Sequence, residues 1–274
     1  MSATDPGELV VLAERAARAA GELVRATSAG RVDVAATKTS PTDVVTATDR
    51  ASEQLLRELL GAARPDDALL GEEAGWEPGR SGLTWVVDPI DGTVNYTYGI
   101  PAYSVSVAVV TGRPDVPGAW EPVAGCVHDV PSGETWTAAR GLGARLDGRP
   151  VRARPAPPLA DALVATGFGY RAERRRAQAR VVAGLLPRVR DIRRVGCSSL
   201  DLCGVAGGRY DGYYERGLHV WDFAAALLVA TETGVVVTGP GGGPPSEDLL
   251  VAARAPLADV LAAELAAAGA DRDD

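Results

Sequence analysis

The sequence predicts a mixed α/β chain, and three observations predict it. Leu9, Leu12, Ala16, Ala20, Leu23 and Val24 recur at helical spacing over residues 8–27. Between 121 and 152, short β-rich runs are separated by the turn signals Pro131-Ser132-Gly133 and Leu146-Asp147-Gly148, a pattern of antiparallel strands. From 162 onward, strand-like and helix-like segments alternate, which is the pattern of an α/β unit.

In chain order, residues 8–27 form an amphipathic helix, and a loop dense in Thr, Ser, Pro and Asp follows at 38–49. Thr48 or Asp49 caps a second helix with Leu55, Leu56, Leu59 and Leu60 on one side, and Pro65-Asp66-Asp67 breaks it. Short buried strands are expected at 68–71 and 83–87. After Ile100-Pro101, the alternation at 103–110 predicts a strand with one buried face. The second half reads as a strand at 162–167, an Arg-rich helix at about 172–187, and a strand at 190–195. A small-residue helix (198–207), a strand (211–215) and a helix (221–233) follow. Pro256 opens the last helix, with Leu257, Val260, Leu261 and Leu265 expected to face inward. The run GPGGGPP at 239–245 is a flexible turn, since no GK[ST] follows to make a phosphate loop. With no internal repeat and no linker, residues 1–274 are expected to form one domain: an N-terminal α+β lobe (about 8–152) and a C-terminal α/β lobe (about 153–268).

The 274 residues are 46% hydrophobic and 23% charged, the usage of an ordinary globular protein, so disorder is expected only at 1–8 and 269–274. The net charge of −8 disfavours general nucleic-acid binding and suits a protein that collects cations. Three cysteines without CxxC spacing suggest neither a disulfide framework nor a zinc site. The start MSATDPGELV has no basic or apolar signal region, and no apolar run approaches the roughly 18 residues that span a bilayer, so a cytoplasmic, non-membrane protein is expected. His128 and His219 are the only histidines, which nearly excludes a multi-histidine site. Lys38 is the only lysine among 28 basic residues.

The richest segment is WVVDPIDGTVNY at 85–96. A buried strand ends at Asp88, and Pro89 restricts Asp88 to extended backbone while fixing its own φ. Asp91 follows three residues later, Gly92 permits a tight turn, and Thr93 opens a helix. Such a turn aims two carboxylates at one point, beside the N–H groups of Gly92 and Thr93. Two anions held close repel unless a cation or a proton sits between them, and hard oxygen donors suit Mg²⁺. The same residues also read as an ordinary turn Asp followed by a helix-capping Asp. Two further clusters bear on the choice: Glu72 and Glu73 end the apolar strand at 68–71, and Asp222 lies at the start of an otherwise apolar helix. Taken singly, these are a solvated strand-end pair and an acid gaining roughly 0.3–1 kcal/mol from a helix dipole. Taken together, three acid-bearing ends of buried elements predict a shared divalent-cation site.

GEE at 71–73, DPIDGT at 88–93 and WDFAA at 221–225, in that order and spacing, resemble the inositol monophosphatase family of Mg²⁺-dependent, Li⁺-sensitive phosphatases. KTSPTDVVTATD at 38–49 and YYERGLHVWD at 213–222 extend the resemblance, which runs from about 8 to 268. It implies an α+β / α/β fold, the layered α-β-α-β-α sandwich of the inositol monophosphatase / fructose-1,6-bisphosphatase type. It further implies two to three Mg²⁺ ions held by Glu72, Asp88, the Ile90 carbonyl, Asp91 and Asp222. Asp88 would bridge two ions, with Glu72 and Ile90 completing the first, Asp91 and Asp222 the second, and a third, weaker ion touching Glu72. Thr93 and Asp49 would orient the attacking water, Glu72 would help activate it, and the backbone of Gly92 and Thr93 would receive the phosphate. Lys38 would modulate metal and phosphate affinity from a metal-site loop. Substrate contacts fall on Asp91, Gly196, Cys197, Ser198 and Glu215, and a homodimer is expected. The sequence departs from the family pattern at Ala226, where glycine is common, and at Ser198, where alanine is frequent.

The resemblance makes inositol 1-phosphate the first expected substrate, a small-molecule phosphate monoester cleaved to myo-inositol and phosphate. Relatives of the same fold act on fructose 1,6-bisphosphate, histidinol phosphate or 3′-phosphoadenosine nucleotides, and these remain open. A reading of another class is a non-catalytic role through the nine arginines between Arg171 and Arg194, contacting RNA or an acidic partner, weighed against an ordinary solvated helix face. Glu215 reads either as a sugar-ring acceptor or as a solvated strand-end acid. His219 and Cys197 are expected to serve packing.

Overall fold

The apolar stripe of the first segment forms α1 (Pro6–Thr27), which buries Leu9, Ala13, Ala16, Ala17, Ala20 and Val24. The computed structural model describes residues 5–27, 36–37, 44–152 and 154–273. Lys38 lies outside the described residues. Two-residue strands β1 (Ala36–Thr37) and β2 (Val44–Val45) pair antiparallel. Helix α2 (Ala47–Ala63) is capped by Thr46, rather than by Thr48 or Asp49 as expected. The Thr46 hydroxyl accepts from the N–H groups of Thr48 and Asp49, and the Asp49 carboxylate accepts in return from Thr46 N at 2.8 Å. Asp49 is thus the third residue of a capping box and not the cap itself.

The first sheet contains β3 (Ala68–Gly71), β4 (Gly75–Glu77) and β5 (Leu83–Asp91), and, after the short α3 (Thr93–Tyr98), β6 (Ser104–Gly112) and β7 (Trp120–Asp129). It ends with β8 (Thr135–Ala139), β9 (Gly143–Leu146) and β10 (Arg149–Pro150), in the order β10-β9-β8-β7-β6-β5-β3-β4. Only β3 and β5 run parallel; the other neighbours are antiparallel. Along β6, Val105, Val107 and Val109 pack with α1 and α2, while Ala108 and Val110 pack on the opposite face. Strand periodicity sends alternate residues to opposite faces, and from Val107 to Val110 β6 is apolar at every position, as a strand buried on both sides requires. That is why β6 sits at the centre of the sheet and not on a solvated face.

The second sheet is built from β11 (Leu163–Thr166), β12 (Asp191–Arg193), β13 (Gly212–Glu215), β14 (Val236–Thr238) and β15 (Leu250–Ala253), in the order β12-β11-β13-β15-β14. β12, β11 and β13 are parallel, and β15 runs antiparallel to both β13 and β14. α4 (Ala172–Leu185) and α7 (Leu257–Ala267) cover its outer face, where Val164, Tyr214, Val251 and Ala253 meet Val181, Leu257, Leu261 and Leu265. α5 (Ser198–Ala206) and α6 (Val220–Thr231) lie between the two sheets, packed on Val86, Ala108 and Trp136 from the first and Ala165, Tyr213 and Ala252 from the second. The layers are therefore α1/α2, eight-stranded sheet, α5/α6, five-stranded sheet and α4/α7, the α-β-α-β-α sandwich. Strands β14 and β15 were not anticipated, because three or four residues beside a Gly/Pro-rich run carry no readable period. Val260 does not face inward as expected: it is 44% exposed, since α7 meets the sheet through the single stripe Leu257, Leu261 and Leu265. Among the described residues, no helix is long and apolar enough to cross a membrane.

Candidate active site

The site begins at an irregularity in β5. Asp88 pairs with Ser106 and Asp91 with Ser104, so β5 carries one residue more than β6 across this interval. Such a bulge re-aims side chains and ends pairing. Pro89, which has no N–H to give a ladder, lies inside it. Gly92 then adopts φ +92°, and a Cβ there would stand 2.9 Å from the Ala102 carbonyl oxygen, so glycine alone fits this turn into α3. The result places Asp88, Ile90, Asp91, Gly92 and Thr93 along one wall of a cavity of about 360 Å³.

Glu72 enters the same cavity from the end of β3, Asp222 from the first turn of α6, and Glu215 from the end of β13. Each acid is held by its neighbours. Asp88 Oδ1 accepts from Ile90 N at 3.0 Å. Asp222 Oδ2 accepts from His219 N at 2.7 Å in a capping box. Asp91 Oδ2 accepts from Ser199 N at 2.7 Å and Ser199 Oγ at 2.6 Å, at the start of α5, where the helix dipole favours an anion. Ser198 Oγ lies 3.2 Å from both Asp91 Oδ2 and the Asp222 carbonyl oxygen, so this hydroxyl ties the sheet acid to α6. An alanine at 198 would lose that tie. Ala226, the other departure, lies on α6 and is fully buried in the core.

Thr93 Oγ1 lies 3.0 Å from Asp49 Oδ1 and 2.9 Å from the Ile90 carbonyl oxygen. Asp49 is fully buried and does not itself line the cavity; it meets the lining residue Thr93. Cys197, expected as a substrate contact, does not line the cavity; it is buried and its thiol donates to Asp91 Oδ2 at 3.2 Å. Burial and the Asp91 charge push that thiol well above its ordinary pKa, so it remains a neutral donor. Gly196 and Ser198 do line the cavity. His219, expected to serve packing, is exposed, lines the cavity rim and stacks on Trp221 at 4.8 Å between ring centroids.

The electrostatics follow from Glu72, Asp88, Asp91, Glu215 and Asp222 sharing a partly closed space. Burial, then the charges of Glu72 and Asp91, push the Asp222 carboxyl well above the usual range. Burial raises Glu215 to about 7, against the opposing effect of the Tyr213 hydroxyl, which donates at 2.6 Å. Mutual repulsion of this kind is relieved by a cation. The donors facing the cavity floor are all oxygens, the set that Mg²⁺ prefers over softer ions. Among the described residues no three acidic, imidazole or thiol side chains are closed into a ligand shell, and Asp91 turns its Oδ2 onto α5. The residues fit a hard divalent cation by donor chemistry and by charge.

Five alternating layers around this acidic cavity define the class, an α/β phosphatase. The chain belongs to the inositol monophosphatase family, whose model matches residues 5–270. Inositol-1-monophosphatase SuhB of Mycobacterium tuberculosis is 44% identical over 95% of this chain and 94% of the relative. Nus factor SuhB of Pasteurella multocida is 38% identical over 85% of each. The solved structure of Mycobacterium tuberculosis SuhB matches with a TM-score of 0.81 and 41% identity, covering 98% of this chain and 100% of that one.

The cavity also contains residues that sequence reasoning missed. Phe168, Tyr170, Arg171, Arg174, Arg194, Arg216 and Glu247 line it together with the acids. Four of the seven are arginines at the ends of strands or the start of a helix. The signal was present as the basic run after 170, but only the tertiary structure turns part of it toward the acids.

Proposed function

We propose that this phosphatase hydrolyses a polyol phosphate monoester, inositol 1-phosphate first, with Mg²⁺ and by direct in-line attack of water. The observation that carries the reading is the convergence of Glu72, Asp88, Asp91 and Asp222 from three separate elements on one cavity. Glu72, Asp88, the Ile90 carbonyl, Asp91 and Asp222 would hold the cation, which when bound would polarise the phosphoryl oxygens and neutralise charge developing on them. The chain's own residues do the rest. Asp49 accepts a hydrogen bond from the Thr93 hydroxyl, which leaves the Thr93 oxygen lone pairs free to orient a water, and Glu72 takes that water's proton. As the water oxygen bonds to phosphorus the ester P–O bond breaks, and the leaving alkoxide takes a proton from a solvent water while Glu72 returns its proton to solvent. The N–H groups of Gly92 and Thr93 bound the phosphate side of the cavity, and Glu215 accepts from ring hydroxyls. The 44% identity to a relative named inositol-1-monophosphatase supports the substrate.

The test is phosphate release from inositol 1-phosphate, fructose 1,6-bisphosphate, histidinol phosphate and 3′-phosphoadenosine 5′-phosphate, with Mg²⁺ or with EDTA, beside Asp91→Asn. Mg²⁺-dependent turnover led by inositol 1-phosphate and lost in Asp91→Asn is expected. Turnover led by another compound moves the substrate, and EDTA-resistant turnover overturns the metal.

A second reading draws on the relatives named Nus factor SuhB and on the exposed Arg175 and Arg176 of α4. Here the chain would also associate with an acidic macromolecular partner. Salt-sensitive RNA retention that survives Asp91→Asn would support it, and no retention at low salt would remove it.

A further inference from the structure

Four residues beyond Asp91, Asn95 is the third residue of α3; it is buried and does not line the cavity. Its side-chain amide nitrogen donates to three carbonyl oxygens: Ala102 at 2.8 Å, Val195 at 3.0 Å and Gly196 at 3.3 Å. Its backbone carbonyl oxygen accepts from Gly99 N at the end of α3 and from Ile100 N at 2.9 Å. Ala102 belongs to the loop that leads into β6 of the first sheet, whereas Val195 and Gly196 follow β12 of the second. One amide therefore fastens together two loops that come from different sheets.

Carbonyl oxygens gathered around one point repel one another, and buried acceptors require donors. An amide nitrogen supplies two N–H groups from a single atom; a hydroxyl supplies one donor and a carboxylate none. The loops are also packed against the turn that bounds the phosphate side of the cavity. A Cβ at Gly92 would stand 2.9 Å from the Ala102 carbonyl oxygen and 3.2 Å from that of Gly196, two of the three oxygens that Asn95 gathers. After Gly196, at φ +91°, the chain enters α5, where Ser198 N at 3.3 Å and Ser199 N at 2.7 Å donate to Asp91. The segment 195–199 is thus held at two points, at its far end by the Asp91 carboxylate and at its near end by the Asn95 amide. Gly92 and Thr93 line the cavity on one side of this fastening, and Gly196 and Ser198 line it on the other.

We propose that Asn95 is a positioning residue for substrate selection, its amide setting the distance between the phosphate turn at Gly92 and Thr93 and the turn at Gly196 and Ser198 that faces the alcohol half of the ester. It rests on reading the cavity as the centre of a polyol-phosphate phosphatase. The acids that would hold the cation are fastened independently of Asn95, Asp88 by Ile90 N and Asp222 by His219 N. Loss of the amide therefore misplaces the polyol more than the phosphoryl group, and a misplacement of about 1 Å is worth up to about a hundredfold in rate.

The experiment compares kcat/KM for inositol 1-phosphate with that for 4-nitrophenyl phosphate, whose alcohol half carries no free hydroxyl group, in Mg²⁺. Asn95→Asp keeps the size of the side chain and replaces its donors by acceptors. It is expected to lower the value for inositol 1-phosphate by about thirtyfold, chiefly through KM, and that for 4-nitrophenyl phosphate by less than about threefold. Asn95→Ser, which is neutral and retains one donor, is expected to show the same selectivity with a smaller loss, and it remains informative where Asn95→Asp does not fold. An equal fall for both esters overturns the proposal, because a merely structural or generally catalytic role would lower them together; so does a folded variant that leaves the ratio unchanged. A wild-type chain that cleaves 4-nitrophenyl phosphate as well as inositol 1-phosphate, or cleaves neither, is a different failure, that of the polyol-phosphatase reading, and removes the role of Asn95 with it.

Discussion

Glu53 does not line the cavity, yet its buried carboxylate accepts from Glu73 N at 2.7 Å and Ala74 N at 2.9 Å while pairing with Arg57 at 2.8 Å. It thereby closes the turn that presents Glu72. Glu53→Gln exchanges a charged acceptor of two backbone donors for a neutral amide, a loss of about 2 kcal/mol by the usual worth of charged hydrogen bonds. Urea unfolding is expected to show that loss, and phosphate release is expected to fall at least tenfold because Glu72 is no longer held. Unaltered turnover would separate Glu53 from the site. His128 illustrates a different residue-scale effect. Burial, then the charges of Arg18 and Arg25, push its imidazole down to about 4, and its Nδ1 lies 2.8 Å from Thr135 Oγ1. The unfolded chain, with an imidazole near 6.5, takes up this proton first, so stability falls as pH drops from about 6.5 toward 4. The loss is at most about 3 kcal/mol, from 1.36 kcal/mol per unit. Thermal unfolding followed from pH 7 to pH 4.5 is expected to show a shallower decline in His128→Leu than in the wild type. Equal slopes would assign the acid sensitivity elsewhere.

Elements position the acids, and two glycines set the tolerances. Gly92 at φ +92° turns β5 into α3. Gly92→Ala pays the left-handed backbone cost of roughly 1–2 kcal/mol in addition to the contact with the Ala102 carbonyl. A fall of several degrees in Tm, together with reduced turnover, is the expected outcome. At Gly125 on β7 the backbone approach is direct: a Cβ would lie 2.9 Å from the Cα of Ala225 on α6. Gly125→Val is expected to push α6 off the sheet and cost about 1–3 kcal/mol, as overpacking does. Because α6 carries Asp222, the affinity for Mg²⁺ should weaken in step with stability; calorimetric titration that finds wild-type Mg²⁺ affinity would show that the sheet contact does not set Asp222. Element boundaries illustrate the limits of local reading. The β5 run and the α6 run were legible because burial on all sides leaves an apolar stretch ending in acid. The cap falls at Thr46, two or three residues before the expected Thr48 or Asp49, because a capping box uses two side chains three positions apart, and either resembles a cap in isolation.

At the scale of the molecule the cavity joins three layers: Glu72, Asp88 and Asp91 come from the eight-stranded sheet, Asp222 from the helices between the sheets, and Glu215 with the arginines from the margin of the five-stranded sheet. A cation on the acids is therefore a tie between layers that the unfolded chain lacks. Ligand linkage then gives about 2.7 kcal/mol of stabilisation at one hundred times the dissociation constant. Millimolar Mg²⁺ is expected to raise the Tm of the wild type, and Asp222→Asn is expected to remove most of that shift. A Tm indifferent to Mg²⁺ and EDTA would argue that these carboxylates do not form a cation site in the native state.

The sequence by itself determined which buried elements end in acids and where those ends lie along the chain. DPIDGT, the paired acids after β3 and the Asp that opens α6 each sit where an apolar run stops, and local periodicity and turn chemistry are sufficient to read such ends. Only the tertiary structure decided how those ends meet and what else joins them. It turned Cys197 away from the cavity onto Asp91, exposed His219 at the rim, and brought Asp273 to arginines that are some sixty to one hundred residues distant. The physical reason is that short-range patterning specifies which face of an element is buried, whereas the strand order β12-β11-β13-β15-β14 fixes which loops share an edge, and that order is set by packing across the whole chain.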